Sequence, residues 1–275
     1  MDDTETVAFC PDDAAACVDL SDEAGWNQTR ADWEMMLRSG WSTGARGPDG
    51  TPEASALALP MEGGIGWISM VLVTASKRRR GIAQRLVSQC VRWLEAQGLT
   101  PVLDATPAGQ PLYSSKGFSP LCGVTRMTGR GGGQDPKGLE RVGTGDLGWI
   151  EALDRAVFGA GRAPILRDLI ERQERGALAF GRDGFVLGRS GRNATQIGPI
   201  VAPDGPTALR LLQGALAQVE GPVLIDTMDA QPAIAAYLAE RGFDAQRRFQ
   251  RMAKGISRNF SDPSRLFAAA GPELG

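Results

Sequence analysis

The chain has 275 residues, with 30 Lys and Arg against 32 Asp and Glu, four cysteines and no histidine. The missing imidazole excludes Ser-His-Asp and Cys-His nucleophile systems and His-ligated zinc and haem sites. Any catalysis must use carboxylates, tyrosine, backbone dipoles or a cofactor. A formal net charge of −2 gives no electrostatic footprint for nucleic acid. Cys10, Cys17, Cys90 and Cys122 form no CxxC pair, so they read as reduced, mostly buried thiols and no metal is expected. The start, MDDTET, lacks the basic and apolar regions of a signal peptide. No apolar run approaches the roughly 18 residues of a membrane span. A cytoplasmic protein of one or two domains is the expectation.

In chain order, 12–20 and 29–38 have helical composition, and Thr29 is a candidate N-cap with Asp32 three residues on. Strands are expected at 41–47, 55–61 and 65–73, the last ending in the apolar run Met70-Val71-Leu72-Val73. The strongest helix is 82–97, with Ile82, Leu86, Val87, Cys90, Val91 and Leu94 at three- and four-residue spacing. Gly98 stops it. A short strand at 101–103 ends at Asp104, and a short helix covers 111–116. The glycine-rich stretch 130–136 reads as a linker. Beyond it come helices at 147–158 and 164–173, strands at 177–182, 184–189 and 195–201, and a helix at 207–219. A strand at 223–226, a helix at 230–241 and a strand at 247–253 complete the second half. The residues after 257 show no periodicity and read as a loose tail.

Two stretches point to duplication. Gly117-Phe118 and Arg126-Met127 recur as Gly242-Phe243 and Arg251-Met252, each 125 positions later. Each Gly-Phe follows a helix whose preceding strand ends in aspartate, Asp104 or Asp226.

The segment richest in chemistry is the basic turn from Val73 through Lys77-Arg78-Arg79-Arg80-Gly81 into the helix at Ile82-Ala83-Gln84. A helix N-terminus presents unpaired N–H groups and a partial positive charge, and so favours phosphate. Gly81 and the small Ala83 permit close approach, and the arginines supply further contacts. Neither GxxxxGK[ST] nor GxGxxG is present.

The pattern Arg78-x-x-Gly81-x-Ala83 resembles the R/Q-x-x-G-x-G/A signature of the GNAT family of acyl-CoA-dependent N-acetyltransferases. Leu112-Tyr113-Ser114-Ser115-Lys116-Gly117-Phe118 is similar to that family's L-Y-x-x-x-G-F segment. Ala75 stands where the family often has proline, and Thr106 where it commonly has asparagine. The resemblance implies two α/β (α+β) domains, each a twisted, mixed, mostly antiparallel sheet flanked by helices. The expected division is an acetyltransferase domain at 1–130, a linker at 131–137, a degenerate second domain at 138–257 and a tail at 258–275.

The resemblance also implies acetyl-CoA as donor, with its pyrophosphate on Arg78, Arg79, Arg80, Gly81, Ile82, Ala83 and Gln84. The pantetheine would run beside Val71 and Val73. A backbone N–H near Val71 would polarise the thioester carbonyl. An amine would attack directly, and Tyr113 would protonate the departing thiolate. Asp104 could face the cleft as the base, or cap the following turn; water could replace it. The segment Gly25–Thr29 is a further candidate for the acceptor side. In the second half, the place of the basic turn is taken by Ala202-Pro203-Asp204-Gly205-Pro206, and Tyr113 aligns with Leu238. That half therefore reads as a shaper of the acceptor pocket or of a dimer surface, with a homodimer left open. The rival readings are a non-catalytic CoA-binding sensor or scaffold, and an enzyme for longer acyl-CoAs.

Overall fold

The structure, a computed structural model, describes residues 6–172 and 176–275. The acidic first five residues and Gln173, expected to end a helix, lie outside them. The first half runs α1 (Ala14–Glu23), α2 (Arg30–Ser39), β1 (Trp41–Arg46), β2 (Pro52–Met61), β3 (Ile65–Val73), α3 (Ile82–Ala96), β4 (Thr100–Ala105), α4 (Gln110–Ser115) and β5 (Phe118–Arg130). The second runs β6 (Glu140–Arg141), α5 (Leu147–Phe158), α6 (Ala163–Arg172), β7 (Leu178–Phe180), β8 (Gly184–Arg189), β9 (Thr195–Val201), α7 (Gly205–Ala217), β10 (Pro222–Met228), α8 (Pro232–Glu240), β11 (Asp244–Lys254) and β12 (Leu266–Ala269).

Period-two alternation in β2 splits the packing of the first half between two faces. Ala54, Ala56 and Ala58 meet the apolar stripe of α3, whereas Leu57 and Leu59 enter the core that holds α1 and α2. The alanines let α3 lie close to the sheet. Gly66 has the same effect, since a Cβ there would sit 2.1 Å from Leu94. The core of α1 and α2 also contains side chains of α5 and α6, so the two halves share it.

All strands form one mixed, mostly antiparallel sheet in the order β1-β2-β3-β4-β11-β5-β10-β12-β9-β8-β7-β6. That order exchanges strands between the halves. The last strand of the repeat in the second half, β11, lies between β4 and β5 of the first. In turn β5 pairs with β10. Neither half completes its sheet from its own residues.

The motif that marks the duplication explains the exchange. Arg126 on β5 faces Asp226 on β10 in register. It donates from Nε and Nη2 to the two carboxylate oxygens at 2.8 Å each. Arg251 on β11 faces Asp104 on β4 and makes the same two bonds at 2.9 Å. The Arg251 and Asp104 side chains are fully buried, and so is that of Asp226. Such fork-to-fork pairs fix geometry as well as charge.

The expected loose tail is overturned. Leu266, Ala268, Ala269, Ala270 and Leu274 are completely buried, and β12 pairs with both β9 and β10. The stretch carries no periodic signal because it is a short filler of small side chains, whose fit depends on the strands around it.

Asp226→Ala leaves the Arg126 guanidinium buried without its partner. The expected loss is about 3–5 kcal/mol of stability, measured by denaturant unfolding. A loss below about 1 kcal/mol would show that the crossed pairs do not hold the exchange together.

Candidate active site

Strands β3 and β4 run parallel for only three residue pairs, Ile65–Trp67 against Thr100–Val102, and then separate. A bulge accompanies the split. Met70 has φ +49°, the β2–β3 register shifts between Ser55 and Leu57, and the Ser55 hydroxyl donates to the Met70 carbonyl at 2.8 Å. Past the bulge, Thr74 N–H bonds Glu53 on the β2 side. By strand alternation, Val71 and Val73 therefore turn their backbone groups toward the opening. The Val73 carbonyl accepts from Arg78 Nε at 2.9 Å, which ties the basic turn to the edge of the cleft.

The turn ends in a helix start open to an anion. Gly81 is the N-cap of α3 at φ +77°, in the left-handed region that favours glycine, and no side chain caps it. Arg79 also has a positive φ, +62°. Arg78, Arg79, Arg80, Gly81 and Gln84 are exposed, Ala83 is half-buried and Ile82 anchors the helix in the core.

Between β3 and β4 lies a cavity of about 90 Å³. Val71 on β3 and Tyr113 on α4 line it, with Leu103, Asp104 and Thr106 from the β4 side. Tyr113 is 9% exposed and packs edge-on against Phe118 at 5.9 Å. Burial, and secondarily the neighbouring Cys90 thiol, raise the Tyr113 pKa above a phenol's ordinary value. Its proton therefore stays in place across neutral pH.

Asp104 does not stand free as a base. Burial raises its pKa, which would suit proton transfer, but both oxygens are held by Arg251 and its side chain has no exposure. Its role is the cross-half ion pair.

The remaining cavity wall comes from places the sequence reading assigned weakly or not at all. Trp26 and Gln28 line it from the loop between α1 and α2, the segment singled out at 25–29. Asn27 pins this loop to the second half. It donates from Nδ2 to the Ala194 carbonyl at 3.0 Å and accepts from the N–H groups of Asn193 and Ala194 at 2.9 and 3.1 Å. Thr29 and Asp32 form the expected capping box of α2. Burial works to raise the Asp32 pKa, but Arg189 and Arg172 of the second half outweigh it and lower the net value. Arg126, Arg247 and Phe249 enter the cavity from the exchanged strands, and Pro272 and Glu273 from the final segment. The repeated Arg-Met motif was a signal for Arg126. Glu273 had none.

The equivalent place in the second half is occupied by the chain itself. Strands β9 and β10 pair in parallel over Thr195–Ile197 and Val223–Ile225, and β12 then fills the gap between them. The N-terminus of α7 is capped by the Asp204 carboxylate, which accepts from Thr207 N–H at 2.8 Å.

Known proteins place this architecture. An acetyltransferase (GNAT) family model matches residues 24–118, and an acetyltransferase (GNAT) domain model matches residues 150–268. The chain belongs to the GNAT acetyltransferases. GNAT enzymes are acyltransferases that use acetyl-CoA as donor, and this one carries two such domains in tandem. It is 26% identical over 233 residues to the uncharacterized N-acetyltransferase YitH of Bacillus subtilis (strain 168), covering 82% of each chain. A crystal structure of a Pyrococcus horikoshii protein superimposes with a TM-score of 0.84 at 19% identity, covering 100% of this chain and 97% of that one. A tandem GNAT protein from the clavulanic acid biosynthesis pathway matches at a TM-score of 0.61 and 16% identity, covering 93% of this chain and all of that one. Among the described residues, no helix of this GNAT protein is long and apolar enough to cross a membrane, and no cluster of His, Cys, Asp or Glu could hold a metal ion.

Asn27→Ala removes the three side-chain bonds of Asn27 and leaves two others across the same contact, Arg192 N–H to the Asn27 carbonyl and Asn193 Nδ2 to the Trp26 carbonyl. The expected cost is about 1–3 kcal/mol, with faster amide exchange at residues 24–29 than in the parent. Unchanged exchange there would mean that the Asn27 side chain does not hold the loop.

Proposed function

We propose that the chain transfers an acetyl group from acetyl-CoA to a primary amine, at one site in its first half. One contrast carries the reading. The first half has a splayed strand edge beside an uncapped helix start and a tyrosine, whereas the second fills all three places with β12, Asp204 and Leu238.

In this reading the donor's pyrophosphate takes the N–H groups at the start of α3, around Arg79–Gln84, with the arginine side chains screening its charge. The pantetheine arm lies along the free edge of Val71 and Val73 as an added strand. The backbone N–H near Val71 stabilises charge on the thioester oxygen. The neutral amine attacks the carbonyl carbon, the C–N bond forms, and the C–S bond breaks without a covalent enzyme intermediate. Tyr113 gives its proton to the departing sulfur. The proton shed by the amine passes to water at the cleft mouth, because Asp104 is committed to Arg251.

Calorimetry is expected to show one acetyl-CoA bound per chain; two would reopen the second half, and none would sink the proposal. Tyr113→Phe should lower kcat by about 100-fold or more with acetyl-CoA affinity unchanged. An unchanged rate removes Tyr113 from the mechanism. The raised Tyr113 pKa keeps the acid protonated as pH rises. Turnover should therefore climb as the amine deprotonates, with no falling limb up to about pH 10. A falling limb near pH 8 would contradict Tyr113 as the acid. Thiol release across a panel of amines separates catalysis from sensing alone.

A further inference from the structure

Inside the cavity, the charges are matched with one exception. Asp104 is paired with Arg251, Arg126 with Asp226, and Glu273 with Arg189. Arg247, half-buried in the cavity wall, makes no hydrogen bond and no ion pair among the described residues. It lies on β11 two residues before Phe249, which lines the same cavity. A guanidinium without a carboxylate, set in a wall where every other charge has a partner, is a binding group for an anion.

A second polar group is also unspent. Gln28 is 3% exposed, and its side-chain oxygen is buried without a hydrogen-bond partner. An orphaned buried acceptor is costly unless a ligand donates to it. Glu273, 5% exposed, brings a carboxylate to the same cavity. The cavity therefore offers acceptor oxygens and a free cation together, beside Val71 and Tyr113.

From this pairing we infer that the acceptor is an amine that also carries a carboxylate, an amino acid in the broad sense. This rests on the acetyl-transfer reading above. Arg247 takes the carboxylate, and Gln28 and Glu273 receive the N–H groups of the amine and aim it at the thioester. Glu273 keeps its bond to Arg189 throughout, so it positions the amine through hydrogen bonding. The placement of Arg247 on an exchanged strand, and of Glu273 on the final segment, means that the second half sets acceptor specificity for a reaction carried out in the first.

The test uses the full chain, acetyl-CoA and three matched acceptor sets: free α-, β- and γ-amino acids, their carboxamides, and the corresponding amines without the carboxyl group. At least one free acid should show kcat/KM ten-fold or more above its carboxamide and its decarboxylated partner. Arg247→Ala should raise KM for that acid ten-fold or more. It should leave KM for the carboxamide and the affinity for acetyl-CoA unchanged, and Arg247→Lys should recover part of the loss. Carboxamides or plain amines acetylated as well as the acids would overturn the inference. So would equal effects of Arg247→Ala on both, a loss of acetyl-CoA affinity in that variant, or acetyl-CoA binding without turnover of any acid. Failure to bind acetyl-CoA would instead overturn the underlying reading, and this inference with it.

Discussion

The structure depends on two buried arginine–aspartate pairs that cross between the halves. Arg126 on β5 reaches Asp226, and Arg251 on β11 reaches Asp104. A buried charge is tolerable only with a well-placed partner, and here each partner belongs to the other half. The pairs therefore enforce the exchange of final strands that joins the two domains into one sheet. They also place Arg126, Arg247 and Phe249 in the wall of a cavity that opens between β3 and β4 of the first half.

The same duplication yields two unlike clefts. In the first half the parallel strands diverge and the helix start beyond them stays uncapped. In the second, β12 occupies the divergence and Asp204 occupies the helix start. The filling strand then serves the other cleft. Directly beyond β12 the chain turns back, with Trp67 Nε1 donating to the Pro272 carbonyl at 3.0 Å and Arg162 donating to the main-chain oxygens of Leu274 and Gly275. Those contacts fix Glu273 in the first half's cavity. One short segment thus closes one cleft and completes the other.

Many of the elements and the basic turn are legible in the sequence because the signals are local. The stripe from Ile82 to Leu94 specifies α3 by its spacing. The turn Arg78–Gly81 announces an anion-favouring helix start by its residue types alone. The capping box at Thr29 and Asp32 needs only four adjacent residues. The part of the cavity wall that comes from the second half was not legible in this way. Arg247 and Glu273 stand in stretches with no motif, and their relevance comes from strand order. The pairing of Asp104 is not legible because its position at a strand end is local, while its partner Arg251 lies 147 residues away.

By itself, the sequence determined the fold class, the duplication, the basic turn, the tyrosine and the loss of both from the second half. These depend on residue type and short-range spacing, which a linear chain displays. Only the tertiary structure decided which half supplies which strand, that Asp104 neutralises an arginine, that the final segment is a buried strand, and which guanidinium of the cavity wall has no partner among the described residues. Each of those is a question of charge pairing and space filling between residues far apart in sequence, and it has no answer until the sheet is assembled.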